Sequence, residues 1–348
     1  MSMQVPHPAL LRFATDRLTA SGMCPEFAKT VAETLVEGDL LGHGTHGLAL
    51  LPRYLQELER GQMAREGKWT VTSRAASVAE RWDGNWLPGP VLVKAAIDRC
   101  AAIASRQGMG AVAIARSHHI ACLAAYLQAV TQRGLAVIIA SSSPSNRQVA
   151  PHGAITGVYS PNPIAAGWPT GGDPVLLDVS MSITTSGLVS AMAAEGRSMP
   201  GAWLVDKDGQ ATDDATVIGS GNGALLPVGG QDHGHKGFAL GLLVEMLTTG
   251  LAGHGRAEGT DRWGASVFVL VLDPEHFGGL EAFNLQAGWI AAACRGASVI
   301  DGTPAVRLPG ERALARREEN LHNGVALAPD LLAVLQKMGL GSEEEVSK

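Results

Sequence analysis

Gly42-His43-Gly44-Thr45-His46-Gly47, continuing as Leu48-Ala49-Leu50-Leu51-Pro52-Arg53-Tyr54, is the stretch on which the reading of the fold turns. Residues 42–47 spell G-x-G-x-x-G, which between a strand and a helix marks a dinucleotide-binding turn with the pyrophosphate at the helix N-terminus. The residues before it do not read as a strand. Pro25 suits a first helical turn, and Phe27, Val31 and Leu35 recur at every fourth position, the spacing of one helix face. The stretch therefore reads as a tight turn between two helices, and a Rossmann-type turn is not expected. It sets a hydroxyl and an imidazole, Thr45 and His46, at the start of the second helix. On that helix His46, Leu50 and Tyr54 fall four apart and share a face, and Arg53, seven from His46, points nearly the same way. One ridge can then hold an acid, an anion clamp and a hydroxyl. A Thr-His pair by itself also reads as an N-cap followed by an ordinary first-turn histidine.

With 348 residues and 46% hydrophobic content, the chain can fill a substantial core in two domains or one elaborate one. The net charge of −6 and the lack of any dense Lys/Arg run argue against a nucleic-acid partner, because neutralising phosphates takes clustered cations. A small-molecule substrate is expected instead. Residues Met1 to Phe13 lack a secretory pattern and no run is long enough to span a bilayer, so no membrane partner and a cytoplasmic location are expected. Cys24, Cys100, Cys122 and Cys294 stand far apart with no C-x-x-C, which predicts buried thiols and no metal site.

Residues 8 to about 65 read as helical, the second helix turning Leu48, Leu51, Leu55 and Leu58 inward. From about residue 70 the texture changes. A helix over Ala95 to Arg106 is followed by apolar runs at Ala111 to Ala115 and Leu135 to Ala140, which flank a helical stretch from His118 to Arg133. Further strands are expected at Val175 to Val179, Ala202 to Val205 and Ser266 to Asp273. Phe238 to Leu251 is apolar on almost every face and predicts a helix buried on most sides. A last helix begins near Pro329, and the tail through Glu343-Glu344-Glu345 reads as frayed.

Three further segments could carry chemistry. Ser117-His118-His119 follows a strand, where α/β proteins bind ligands; Ser117 also reads as a simple N-cap. Neighbouring histidines on a helix point about 100° apart and do not easily share an ion. Gly229-Gly230-Gln231-Asp232-His233-Gly234-His235-Lys236-Gly237 leads into the apolar helix, where glycines let backbone N–H groups approach a pyrophosphate and Lys236 adds charge; a flexible turn with an exposed lysine is the plainer reading. Asp178, ending the run Val175-Leu176-Leu177, either orients an imidazole or caps the turn at Ser180 to Ser182.

Taken together the segments resemble the type 2 malate/L-lactate dehydrogenase family, NAD(P)-dependent oxidoreductases that include ureidoglycolate and sulfolactate dehydrogenases and cyclic-imine reductases. The likeness is carried by Thr45-His46-Gly47 with Pro52-Arg53-Tyr54, Ser117-His118-His119, Asn162-Pro163-Ile164-Ala165, Leu177-Asp178, Ser182, Trp203 with Asp206 and Gly209, Leu225-Leu226-Pro227 with Gly229-Gly230, His235-Lys236-Gly237, and Leu308-Pro309-Gly310-Glu311-Arg312. It implies an α/β (α+β) non-Rossmann NAD(P)-binding fold, with a central mixed-sheet domain over residues 73–312 and an all-α domain formed by both chain ends, residues 1–72 and 313–348, usually as a homodimer. It also implies hydride exchange between NAD or NADP and C2 of a small 2-hydroxy/2-keto acid or cyclic imine. His46 would be the general acid/base, with Thr45 and Asp178 fixing its tautomer. His119, Ile120, Ala121, Cys122, Leu123, Thr170, His235, Lys236, Pro309, Gly310, Glu311 and Arg312 would line the cofactor, His119 also lying near the substrate.

The sequence departs from the family pattern where the substrate would be gripped. Thr45 stands where Ser is usual, Leu50 where a carboxylate-binding arginine is common, Pro161 for a threonine, and Ile120-Ala121 for Phe-Gly. Losing a charge-assisted hydrogen bond costs about 1.5–3 kcal/mol, so either Arg53, with Tyr54 beside it, takes over the carboxylate or the substrate is less acidic or bulkier. Two other classes compete: a family member that binds a metabolite or nucleotide without turning it over, and a metal-dependent hydrolase or lyase built on His43, His46, His233 and His235.

Overall fold

The computed structural model describes residues 4–74 and 77–341. The expected fraying at residues 342–345 lies outside them. From the N-terminus the chain forms β1 (Gln4–Val5), α1 (His7–Ala20), α2 (Pro25–Leu40), α3 (Leu51–Glu59), β2 (Thr70–Val71), β3 (Ala79–Asp83), α4 (Gly89–Gln107), β4 (Met109–Ser117), α5 (Gln128–Thr131), β5 (Ala136–Ser142), β6 (Ile164–Trp168) and β7 (Val175–Val179). It continues through α6 (Ser186–Ala194), β8 (Leu204–Asp206), β9 (Ala211–Thr212), α7 (Thr216–Gly219), β10 (Gly223–Leu225), α8 (Gly230–Glu245), β11 (Ala265–Leu272), α9 (Leu280–Arg295), α10 (Glu311–Asn323), β12 (Val325–Ala326) and α11 (Pro329–Lys337).

The run Ala-Ser-Val-Phe-Val-Leu-Val-Leu of β11 is apolar on both faces, and the strand is accordingly central in a seven-stranded sheet of order β2-β3-β4-β11-β5-β6-β7. Helix α4 connects β3 to β4, which pair in parallel; the other strand pairs of this sheet among the described residues are antiparallel. The chain is therefore α/β with a mixed sheet. Strands β8, β9 and β10 form a separate small sheet. Both chain ends meet: β1 pairs with β12, the Asn320 amide donates to the Leu40 carbonyl at 2.9 Å, and Arg317 pairs with Glu37. Phe27, Val31 and Leu35 are buried as their spacing predicts, with Leu10, Ala14 and Leu18 of α1 in the same core, each large side chain contributing roughly 1.5–3 kcal/mol. Among the described residues no helix is long and apolar enough to cross a membrane.

Three local expectations are corrected. The second helix starts at Leu51; residues 44–46 and 48–50 are single 3₁₀ turns separated by Gly47. The reason is Asp39, whose carboxylate accepts the Leu48 N–H at 2.7 Å and occupies the space a side chain at Gly47 would need. Residues 118–133 do not form one helix. β4 runs through Ser117, the next residues are a loop with Ala121 at φ +57°, and only Leu123–Tyr126 and α5 are helical. Ser117 is thus the end of a strand, its hydroxyl donating to the His118 carbonyl. Lastly, the Phe238–Leu251 segment buries Gly241, Val244 and Thr248 yet leaves Leu240, Leu243 and Met246 about half exposed or more.

Candidate active site

The register of β11 against β4 builds the site. Pairing Ala265 with Ser117 brings the residues just before β11 alongside those just after β4, so Trp263 meets His118 and His119. The backbone of that loop crosses the start of α4 at Gly89, where a β-carbon would stand 2.4 Å from the His119 carbonyl oxygen. Only glycine fits there. From the other side α3 supplies Tyr54, fully buried, whose hydroxyl donates to the His119 carbonyl at 3.0 Å and lies 3.1 Å from Nδ1 of the same ring. Tyr126 donates to the Ile120 carbonyl.

The result is a run of stacked groups. The His46 and His119 rings are 6.2 Å apart and nearly parallel, His119 stacks on Trp263 at 4.6 Å, and the Arg53 guanidinium lies over the Trp263 ring at 3.6 Å. Trp263 escaped the sequence reading. Its only sequence signal is an aromatic residue in a Gly-Thr-Asp-Arg loop before a strand, and its meaning depends on a strand pairing the sequence does not display.

Burial and neighbouring charges shift the imidazoles of the site in one direction, downward. Burial, with the neighbouring His43, lowers the His46 pKa below its ordinary value. Burial pushes His119 well below its ordinary value, reinforced by His46, His118 and Arg53. The Ala121 N–H donates to His119 Nδ1 at 3.2 Å, so that nitrogen is bare and Nε2 carries the proton of a neutral ring. His118 is fully buried and drops to about 3, because burial, Arg262 and Arg53 outweigh the Glu57 carboxylate 3.4 Å from Nε2. Arg53 is lowered, chiefly by burial, and among the described residues forms no ion pair. Such a partly desolvated cation is suited to an anionic ligand.

The expected residues divide between those the structure gathers and those it does not. The Thr45 hydroxyl is 2.9 Å from His46 Nδ1. Asp178, expected beside His46, instead accepts the Ala124 N–H at 2.9 Å and faces His43, because the free N–H groups of the 3₁₀ turn at Leu123 open directly onto β7. Ala121 and Cys122 lie in the loop before the 3₁₀ turn that Leu123 begins, and the Pro309–Arg312 turn lies against β7: the Pro309 carbonyl accepts the Leu176 N–H, Gly310 sits against Leu176, and Glu311 caps the Leu308 N–H. Arg312 is exposed. Thr170 closes the turn beyond β6, its hydroxyl donating to the Asp173 carbonyl, at the opposite end of the β6–β7 hairpin from Asp178. His235 and Lys236 lie exposed on the first turns of α8, and among the described residues no hydrogen bond links either to His46. The expected single ridge of His46, Leu50, Tyr54 and Arg53 is replaced by contacts made through His119 and Trp263.

The site also has unspent polar groups. Thr184 Oγ1 and Ser186 Oγ are buried without partners among the described residues, and a β-carbon at Gly187 beside them would stand 3.7 Å from Thr45. Buried hydroxyls without partners are rare and suit a polar ligand such as a carboxamide or a carboxylate.

The fold thus sets two stacked imidazoles, an indole and a guanidinium without an ion pair among the described residues side by side at one edge of a mixed sheet. The sequence pattern of the malate/L-lactate dehydrogenase family matches residues 5–336. The Delta(1)-pyrroline-2-carboxylate/Delta(1)-piperideine-2-carboxylate reductase of Pseudomonas syringae pv. tomato is 30% identical over 96% of each chain. The malate dehydrogenase of Pyrococcus horikoshii is 29% identical over 97% of this chain and 94% of that one. The crystal structure of malate dehydrogenase from Entamoeba histolytica superposes with a TM-score of 0.89 over 100% of this chain and 99% of that one, at 22% identity, and so speaks for the fold. The chain belongs to the malate/L-lactate dehydrogenase family and is an NAD(P)-dependent oxidoreductase.

Proposed function

We propose that His46 exchanges the proton that accompanies hydride transfer at C2 of a small 2-hydroxy/2-keto acid or a cyclic imine carboxylate. When bound, the nicotinamide of NAD or NADP supplies the hydride for reduction and accepts it in reverse. In reduction His46 gives its proton to the carbonyl oxygen or imine nitrogen, and in oxidation the neutral ring, held through Nδ1 by Thr45, takes one from the hydroxyl or amine. A pKa lowered by burial favours the neutral, proton-accepting form near neutral pH. His119, neutral and protonated on Nε2, would donate a hydrogen bond to the reacting substrate or to the carboxamide. Asp178, which does not touch His46 here, would act through the His43 turn.

The reading rests on one observation above the rest: the stacked run from His46 through His119 and Trp263 to Arg53, which has no ion-pair partner among the described residues. A guanidinium stacked by its face keeps its edge N–H groups free for a carboxylate. It is two rings removed from His46, so an acid group placed beyond C2 reaches it more readily than one attached to C2. We therefore expect longer 2-oxo acids to be preferred to pyruvate. Residues 1–72 and 313–348 would bring His46, Arg53 and Tyr54 onto the central unit, residues 73–312. That unit would hold the cofactor through His119, Ile120, Ala121, Cys122, Leu123, Thr170, His235, Lys236 and the turn Pro309, Gly310, Glu311 and Arg312.

Leu242 and Leu243 on α8, Met246 just after it, and Leu285 and Trp289 on α9 expose large apolar area, which a second copy of the chain would cover in a homodimer, with a mass of twice 36.1 kDa by light scattering. A cytoplasmic location belongs to the same proposal, and cell fractionation tests it.

Steady-state oxidation of NADH and NADPH with a series of 2-oxo acids and cyclic imines tests the substrate assignment. Arg53→Ala should raise KM for the preferred acid about 10-fold or more, and Leu50→Arg should improve turnover of simple 2-oxo acids. Unchanged KM in Arg53→Ala, together with a gain in Leu50→Arg, rejects Arg53 as the carboxylate ligand. No turnover with any member of the series, with nucleotide binding intact, would favour the binding-protein alternative that Leu50 suggests.

A further inference from the structure

We propose that His43, Cys122 and Asp178 form a binding site for a divalent transition-metal ion of the zinc class, and that filling it arrests the oxidoreductase. The three residues come from separate segments: the turn after α2, the loop after β4, and β7. One ligating atom from each, an imidazole nitrogen, a thiol sulfur and a carboxylate oxygen, all lie within 4.8 Å of one another. Imidazole, thiolate and carboxylate are the donors zinc accepts, at roughly 2.0–2.3 Å, so closing on one ion needs a contraction of about an ångström. His43 and Asp178 are only partly buried and can supply it, while Cys122 is fixed by packing against Leu41, Ala124, Ala125 and Ala313. Sulfur and nitrogen donors disfavour calcium and magnesium.

The donors are unspent. Asp178 uses Oδ2 for the Ala124 N–H, which orients the carboxylate and leaves Oδ1 free, and among the described residues no hydrogen bond engages the His43 ring or the Cys122 thiol. An N–H donor holding a liganding carboxylate is the usual outer support of a metal site. Three protein ligands leave a fourth position open to water. Binding replaces the thiol proton with the metal and releases that proton to solvent, so nothing is oxidised or reduced.

The connection to turnover is short. The His43 carbonyl accepts the His46 N–H at 2.8 Å, and Cys122 lies in the same loop as His119. An ion joining His43 to Cys122 and Asp178 ties the His46 turn to that loop and closes the gap between them. The inhibition rests on the dehydrogenase reading; the binding does not.

Cobalt(II) titration of the purified protein tests the site directly. The expected result is one equivalent bound, with tetrahedral visible bands and a thiolate-to-cobalt charge-transfer absorption, displaced by zinc and absent in Cys122→Ser whose fold is verified by circular dichroism. Zinc should inhibit NAD(P)H oxidation by the wild type, and His43→Gln should bind cobalt at least about 10-fold more weakly. A cobalt spectrum without the thiolate band, equal cobalt affinity in His43→Gln, or undiminished NAD(P)H oxidation by the zinc-loaded wild type overturns the proposal. A cobalt spectrum as expected with no turnover in metal-free protein would instead fault the dehydrogenase reading.

Discussion

Two glycine- and histidine-rich segments precede helices in this chain, and the structure treats them oppositely. Residues 42–47 are pinned from several sides: Asp39 holds the Leu48 N–H, the Thr45 hydroxyl lies 2.9 Å from His46 Nδ1, and His46 stacks on His119. Residues 229–237 start α8 in the open, with His233, His235 and Lys236 exposed. Similar composition thus conceals different states of completion. The first segment is held by contacts from its own chain; the second presents Lys236 to solvent with no carboxylate partner among the described residues.

Breaking the first region should have the larger effect. His46→Asn removes the proton-transfer group, so kcat should fall about 10²–10⁴-fold while the cofactor dissociation constant stays near the wild-type value; stopped-flow turnover and a fluorescence titration read the two. If kcat survived, the stacked imidazoles would be ordinary packing.

The anchor of the same turn gives a pH-dependent test. Burial raises the Asp39 pKa from 3.8 to about 7, against the opposing effect of the Leu48 N–H. A raised carboxyl pKa means that the folded state keeps a proton the unfolded state has lost, so stability falls as pH rises from about 4 to 7. Asp39→Asn keeps an acceptor for Leu48 and removes the titration. In urea unfolding its stability relative to wild type should rise between pH 5 and pH 8, by roughly 3 kcal/mol at most, at about 1.4 kcal/mol per pH unit. Parallel curves would mean that Asp39 is ionised throughout.

The open region should respond through affinity. Lys236→Ala should raise the dissociation constant for NAD(P)H about 10-fold with little change in kcat, the size of one lost charge-assisted contact. Equal affinity would leave α8 without a role in cofactor binding. The smallest effect is expected at Ala121, a non-glycine residue at φ +57°. Ala121→Gly should stabilise by about 1 kcal/mol, visible as a rise in Tm, because the left-handed region costs a side chain about that much. A fall in Tm would show that other contacts outweigh the strain.

How far the sequence discloses this can be followed residue by residue. The apolar runs of β4, β5 and β11 are plain, since continuous burial leaves a continuous hydrophobic pattern, and so is the α2 face through Phe27, Val31 and Leu35. Thr45 beside His46 is legible because the contact is local. The 118–126 loop is not, because its alanines and leucine favour a helix and only tertiary contacts hold Ala121 left-handed and direct the Tyr126 hydroxyl to the Ile120 carbonyl. Trp263 and Gly89 act across strand and helix pairings that no local pattern encodes. Helix α8 misled for a different reason: its outward leucines read as core, and within one chain they are surface.

The most direct test of the central claim is the transfer of label from nicotinamide deuterated at C4, in NADH or NADPH, to the product of a 2-oxo acid or cyclic imine. The account predicts deuterium at C2 of the product, in proportion to the cofactor oxidised, and almost none in the same time with His46→Asn. Cofactor oxidised without deuterium at C2, or equal labelling by the variant, would contradict it.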